Sequence, residues 1–202
     1  MSLWRGAAPL ILASRSRARQ TMLEAAGIPL EIRPADVDER ALAAQSGVPE
    51  PDRLAALLAR AKADAVARVL PHRLVLGADQ TLALGAARYD KPVDRVAARA
   101  QLCALSGRTH RLYSALALVR ASQLLFAHVE VATLTMRAVS ETFLDRYLDL
   151  LGPAVTASVG GYQLEGLGVQ LFEQIEGDHF TILGLPLLAL LRYLRHEGWL
   201  MT

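Results

Sequence analysis

Ser14, Arg15, Ser16, Arg17 and Arg19 follow the apolar run Leu10 to Ala13 and precede a stretch of helix formers. Hydroxyls, guanidinium forks and free backbone N–H groups would then converge at the positive end of a helix dipole, the makeup of an anion site. A capping role for Ser16 with solvated arginines around it accounts for the same residues. No glycines precede a Lys-Ser or Lys-Thr pair, which excludes a phosphate loop of the Walker type, and there is no dinucleotide-binding glycine fingerprint. A second group, Gly77, Ala78, Asp79 and Gln80, comes directly after a hydrophobic segment. A carboxylate at the end of a strand can bind a divalent cation, accept a proton from water, or do both, and Asp79 is the leading candidate for a catalytic residue. An ordinary turn aspartate would look the same. Third, Gly161, Tyr162, Gln163, Leu164, Glu165, Gly166, Leu167 and Gly168 place glycines where backbone can approach a flat ligand and offer the two acceptor oxygens of Glu165. Such a run suits a base-recognition loop and equally a glycine-rich connection. Glu176, Gly177 and Asp178 read as a hairpin turn.

Of the 22 basic residues only Lys62 and Lys91 are lysines. Where arginine has displaced lysine this thoroughly, the two survivors mark places where a compact ammonium on a flexible stem does what a flat guanidinium cannot, such as a crowded phosphate or a proton-transfer site. The 22 basic against 20 acidic residues leave a net charge of +2, which demands neither nucleic acid nor an anionic membrane as partner and favours a small molecule. Aromatic residues are 5% of the chain, too few to interleave the arginines as RNA binding requires. The single cysteine, Cys103, forms no internal bridge and fits a reducing, cytoplasmic setting. It reads as a core residue on the apolar side of a helix. The longest apolar stretch, residues 182 to 191, is broken by Gly184 and Pro186 and falls short of a membrane span.

The elements that must position these groups follow from periodicity and punctuation. Residues 10 to 13 read as a strand, 21 to 26 as a helix ended by Gly27, and 30 to 33 as a strand running into an acidic loop with Pro34, Asp36, Asp38 and Glu39. Leu54, Leu57, Leu58, Ala61, Ala65 and Val69 recur at three and four and predict an amphipathic helix from about 52 to 70, stopped by Pro71 and carrying Lys62. Residues 74 to 77 predict a buried strand, with 81 to 84 extended beyond it. Lys91 and Pro92 make a rigid turn. Asp94 caps a helix through Leu105 that Gly107 ends, strands cover about 111 to 119 and 124 to 137, and Ser140 caps a helix to about 150 that Gly152 and Pro153 stop. A strand over 169 to 175 and a helix from Pro186 to before Gly198 complete the chain. The alternation predicts an α/β fold, a mixed twisted sheet flanked by helices, as one domain over residues 1 to 202, and 52% hydrophobic residues supply its core.

Taken in order, Leu12, Ala13, Ser14, Ser16 and Arg19; Val37, Asp38 and Glu39; Gly77, Ala78 and Asp79; Lys91 and Pro92; Ser106 to His110; Glu165, Gly166 and Gly168; Gly177 and Asp178; and Gly184 to Leu187 resemble the Maf-like nucleoside triphosphate pyrophosphatases, from about Leu10 to Gly198. The resemblance implies two lobes around a deep cleft, as in the related inosine triphosphatases, and a cytoplasmic homodimer in which a divalent metal, Mg2+ or Mn2+, helps hold a nucleoside triphosphate for cleavage between its α and β phosphates. It matches Asp79 to the proton acceptor and Ser14, Arg19, Glu39, Lys62 and Lys91 to polar cleft residues. Ser16 joins Ser14 and Arg19 as a phosphate-binding candidate, and Glu39 and Asp79 are the hard oxygen donors on offer to the metal, with base and metal ligand not told apart between them. Positions 18, 80 and 165 match those that separate the family's branches by base. Here they are Ala18, Gln80 and Glu165. The dTTP and UTP branch has Arg, Thr and Gln, and the 7-methyl-GTP branch has Trp, Gln and Glu, so two of three lean to the methylated guanine. Ala18 fits neither, and Arg17 replaces the usual proline. A nucleotide-sensing inhibitor of septum formation is the non-enzymatic alternative, and His110 reads as structural.

Overall fold

A computed structural model describes residues 2–48 and 50–202. Seven strands form one mixed sheet: β1 Leu10–Leu12, β2 Leu30–Ile32, β3 Val75–Leu84, β4 Ala87–Tyr89, β5 Thr109–Arg120, β6 Gln123–Met136 and β7 Phe172–Glu176. The strand order is β2-β1-β3-β5-β6-β7, with β4 pairing β3. β1 lies parallel to both β2 and β3, whereas β3–β4 and β6–β7 are antiparallel. The helices are α1 Arg17–Ala25, α2 Glu39–Ser46, α3 Pro51–Val69, α4 Arg95–Leu105, α5 Glu141–Leu151, α6 His179–Ile182 and α7 Leu187–His196. The α/β class read from the sequence is the class observed.

The chain forms two compact units. The first comprises residues 1–80, 114–130 and 179–202, and the second residues 81–113 and 131–178. In the first, Leu10, Leu12, Leu23, Leu76, Leu118, Leu190 and Leu194 are completely buried in one apolar cluster that joins β1, α1, β3, β5 and α7. In the second, α4 and α5 are linked by ion pairs of Arg95 with Asp149, at 2.6 Å, and Arg99 with Asp145, at 2.8 Å.

Helix starts follow their caps. Ser16, Asp38, Asp94 and Ser140 each accept a hydrogen bond from the backbone N–H three residues on. Two caps correct the sequence reading. Ser16 starts α1 at Arg17, four residues before the expected 21, so Ala18 and Arg19 lie in its first turn. The acidic segment expected as a loop continues from Asp38 into α2, where Glu39 is the first helical residue, favoured by the N-terminal end of the dipole, and Gly47 closes the helix at φ +61°. A further correction concerns Asp79. It lies in the middle of one continuous ten-residue strand: β1 pairs its start at Val75 and Leu76, β4 pairs its end at Leu82 to Leu84, and Gly77 to Gln80 between them stay extended, with β5 as the other neighbour of β3, despite their low β-propensity.

Elsewhere β4 and α6 are elements not expected, Lys91 and Pro92 lie in the loop between β4 and α4, and β7 starts at Phe172, after short 3-10 turns at Gly152–Thr156, Val159–Gly161 and Leu167–Leu171. Pro186 is the residue before α7. Residues 176 to 178 connect β7 to α6 and make no hairpin turn. Cys103 is exposed on α4, because the buried positions Ala98, Leu102 and Leu105 define a face from which residue 103 is turned away by about 100°.

Candidate active site

Helix α3 lies unusually close to β3, and a stripe of small residues is the reason. Ala55, Ala59, Ala63 and Ala67 recur every fourth residue and are all fully buried. Opposite them, Gly77 leaves so little room that a Cβ there would sit 2.1 Å from the Ala59 carbonyl oxygen and 2.7 Å from the Ala63 nitrogen. Lys62 is next to Ala63 on this helix, and Asp79 shares a face of β3 with Gly77, two residues on. The close approach brings them together: Lys62 Nζ donates to Asp79 Oδ1 at 2.6 Å and pairs with Glu39 Oε1 at 2.8 Å. Asp79 is 6% exposed. Burial raises its pKa above the usual carboxylate range, while Lys62 and then Arg19 pull it back down.

Arg19 is also buried, and its guanidinium is largely committed to the fold. Nε donates to the Gly184 carbonyl at 2.7 Å, and Nη1 donates to the Ala78 carbonyl at 2.9 Å and to Ser14 Oγ at 3.1 Å. Burial depresses its pKa, opposed by the charges of Asp79 and Glu39. Arg19 therefore fastens the β1–α1 turn and the α6–α7 loop to the residue that precedes Asp79. Ser14 Oγ also accepts from the Ser16 N–H at 3.2 Å, and Ser16 Oγ caps α1 through the Arg19 N–H. Ser14, Ser16, Arg19, Glu39, Lys62 and Asp79 thus form one connected cluster in the first unit, bearing two cations and two carboxylates. Arg15 and Arg17 are exposed.

Gln80 adjoins this cluster. Its amide nitrogen points at the carbonyls of Thr181, at 3.1 Å, and Ile182, at 3.0 Å, and lies 2.9 Å from Ser114 Oγ, which itself donates to Thr181 O at 2.7 Å. Carbonyls only accept, so the nitrogen is fixed on that side, and the amide oxygen is the atom of Gln80 able to meet a donor elsewhere. Ser114 and Thr181 are completely buried. No sequence signal pointed to them, since they lie 34 and 101 residues from Gln80.

Lys91 and Glu165 belong to the second unit and are exposed there. Lys91 stands beside the buried Pro92 in a loop tied to α4 by a hydrogen bond from Gln101 Nε2 to Asp90 O at 2.9 Å. Glu165 stands at the tip of the turn after Tyr162. Ala18 is half-buried in α1.

Comparison with known proteins decides the family, because residues 9–197 match the Maf-like proteins. The chain belongs to that family. Its relatives match end to end. A Rhodopseudomonas palustris protein named nucleoside triphosphate pyrophosphatase is 58% identical over 99% of both chains, and a Nitrobacter winogradskyi protein of the same name is 54% identical over 100% of both. A Mesorhizobium japonicum protein named 7-methyl-GTP pyrophosphatase is 54% identical over 94% of this Maf-like chain and 96% of its own. A solved nucleoside-triphosphatase / dITP/XTP pyrophosphatase from Mycobacterium abscessus aligns over 65% of this chain and 76% of its own at a TM-score of 0.36 and 17% identity, too distant to bear on the site. Among the described residues no helix is long and apolar enough to cross a membrane.

Proposed function

We propose that this Maf-like chain hydrolyses a nucleoside triphosphate to the monophosphate and pyrophosphate. The observation that carries the reading is the buried Lys62–Asp79 pair, with Glu39 on the same ammonium. A polyphosphate resists attack by water until its negative charge is screened, and fixed cations in a dry site screen it best. Lys62 supplies a flexible point charge for the phosphates, and for Lys91 the same role rests on the family resemblance alone. Asp79, held by Lys62 and backed by Arg19, orients the attacking water and takes its proton as the oxygen bonds to the α-phosphorus and the bond to the β-phosphate breaks. Ser14 and Ser16 lie beside the buried guanidinium at the same cluster.

Lys62 Nζ stands between Glu39 Oε1 and Asp79 Oδ1, at 2.8 and 2.6 Å, so a metal ion on these oxygens requires the ammonium to swing from them to the phosphates. Two hard carboxylate oxygens fit Mg2+ or Mn2+ completed by phosphate oxygens and water. Among the described residues no group of three or more His, Cys, Asp or Glu gathers to hold a metal. The bound cation would add charge screening at the phosphates.

For the base, the reading leans to 7-methyl-GTP, with dTTP or UTP as the alternative. The role of Glu165 at the base, like that of Gln80, rests on the family resemblance, and Glu165 supplies acceptor oxygens. Guanine's N1–H and N2 amine are donors that match them, and methylation at N7 adds a positive charge that a carboxylate favours. The relative named for 7-methyl-GTP supports this choice. A cytoplasmic homodimer is part of the same reading and rests on the family resemblance. The test is pyrophosphate release from a panel of ordinary and modified triphosphates with Mg2+ or Mn2+, reported as ratios of kcat/KM. Asp79→Asn should bind nucleotide and fail to turn it over. Wild-type rates in that variant would remove Asp79 from the chemistry, and nucleotide binding without pyrophosphate release by the wild type would favour a sensor.

A further inference from the structure

His110 is a buried titratable group that the proposed chemistry does not use. It lies on β5 and is 1% exposed. Its Nε2 is 2.7 Å from the hydroxyl of Tyr162, while Nδ1, also buried, meets no partner among the described residues. Phe172 lies 5.9 Å from the imidazole and packs edge-on to Tyr162 at 4.8 Å, so aromatic rings pack around the pair. A phenylalanine would pack here without leaving a ring nitrogen unpaired. What histidine adds is a directional bond to one hydroxyl, and a polar link in an apolar setting specifies a geometry that apolar packing leaves loose.

That hydroxyl belongs to the residue from which the Glu165 turn departs. Tyr162 is 5% exposed, its carbonyl accepts from Ser158 Oγ, and the preceding Gly161 carbonyl accepts from Tyr147 Oη at 3.4 Å. Beyond it the turn is closed on itself. The Gln163 carbonyl accepts from the Gly166 N–H at 3.2 Å and lies where a Cβ on Gly168 would be 2.3 Å away. A turn this tight behaves as a rigid body whose setting is decided at its root, and Glu165 is at its exposed tip.

We infer that His110 is a positioning residue for base selection: its hydrogen bond to Tyr162 fixes the root of the 162–168 turn and so aims the Glu165 carboxylate. The inference rests on the proposed reading of Glu165 as a base contact.

The experiment measures kcat and KM for GTP, 7-methyl-GTP and UTP in the full-length protein and in Tyr162→Phe, His110→Phe, His110→Gln and Glu165→Gln, with Tm recorded for each. Loss of one hydrogen bond's worth of positioning should move the guanine-to-uracil ratio toward unity by about two- to tenfold, carried by KM, in Tyr162→Phe and His110→Phe. His110→Gln, whose amide nitrogen reaches as far as Nε2, should restore the ratio. If Tm falls in Tyr162→Phe and His110→Phe while the ratio stays at the wild-type value, the bond is structural only and the inference is overturned. Tyr162→Phe keeps the ring and decides the matter if His110→Phe does not fold. An unchanged ratio in Glu165→Gln overturns the base-contact reading, whereas a shifted ratio there with none in the other variants overturns only the role of His110.

Discussion

Replacing Gly77 by alanine would place a methyl group 2.1 Å from the Ala59 carbonyl oxygen and 2.9 Å from the Ala63 Cβ. Ordinary contact starts at 3.4 Å, so α3 must retreat from β3 by up to 1.3 Å. The obstructing atoms belong to the helix backbone, and no side-chain rotation relieves them. Overpacking of this kind costs about 3 kcal/mol, the upper end of its usual range. For a chain of this length that corresponds to a fall in Tm of roughly 6–12 °C. Function should suffer more than stability. The same retreat would lengthen the 2.6 Å bond from Lys62 to Asp79 beyond hydrogen-bond range unless the lysine stem re-extends, and misplacement of a catalytic group by about 1 Å costs on the order of 10²-fold in rate. Thermal unfolding and kcat/KM on the same preparation check both numbers. The double variant Ala63→Gly with Gly77→Ala should recover only a part, because the closest contact is a carbonyl that it leaves in place. A Gly77→Ala protein with wild-type Tm and activity would refute the claim that this close packing sets the lysine–carboxylate pair.

Lys62→Met takes the ammonium from between Glu39 and Asp79, so the nucleotide-free protein should bind Mn2+ about tenfold more tightly or better, as measured by titration calorimetry or electron paramagnetic resonance; unchanged or weaker binding would show that the two carboxylates do not share a cation. Removing Lys62 also removes the strongest influence lowering the Asp79 pKa, and the acidic limb of the kcat/KM profile should move to higher pH in whatever activity remains. Burial lowers the His110 pKa from 6.5 to about 4, so in the unfolded chain this residue takes up a proton that the folded protein refuses. Folding stability should therefore decline as pH falls from 6.5 toward 4, by about 3 kcal/mol from this residue, and denaturant melts of His110→Gln should lack that slope. Ala121 and Ser122 connect β5 to β6 at φ +49° and +62°, a left-handed backbone that glycine adopts without strain. Ser122→Gly should raise stability by about 1 kcal/mol with activity unchanged, and a lower Tm would count against strain at this turn.

Much of this architecture was legible in short windows of sequence. Asp94 and Ser140 announced their helices, and the three-and-four spacing from Leu54 to Val69 located α3 to within a residue of its ends, because caps and amphipathic stripes act over a turn or two. The α2 helix was legible as well, since Asp38, Glu39 and Gly47 carry its start and stop signals, but the proline and acidic residues before them drew attention to a loop. The near absence of lysine singled out Lys62, and it proved to be the partner of Asp79. What no local pattern held was the pairing itself. Asp79 looked like the end of a strand until β3, placed between β1 and β5 in the sheet, ran on through it to Leu84, and Gly77 looked like a turn glycine until α3 was laid against it. Arg19 read as part of an anion site at a helix start; that its hydrogen bonds also go to Ala78 and Gly184, 59 and 165 residues away, had no local signal. The chain alone set residue types, helix starts and the family; the packing of α3 on β3 decided which charges meet, because contacts across such separations depend on sheet order and backbone approach, and neither leaves a periodic mark in the sequence.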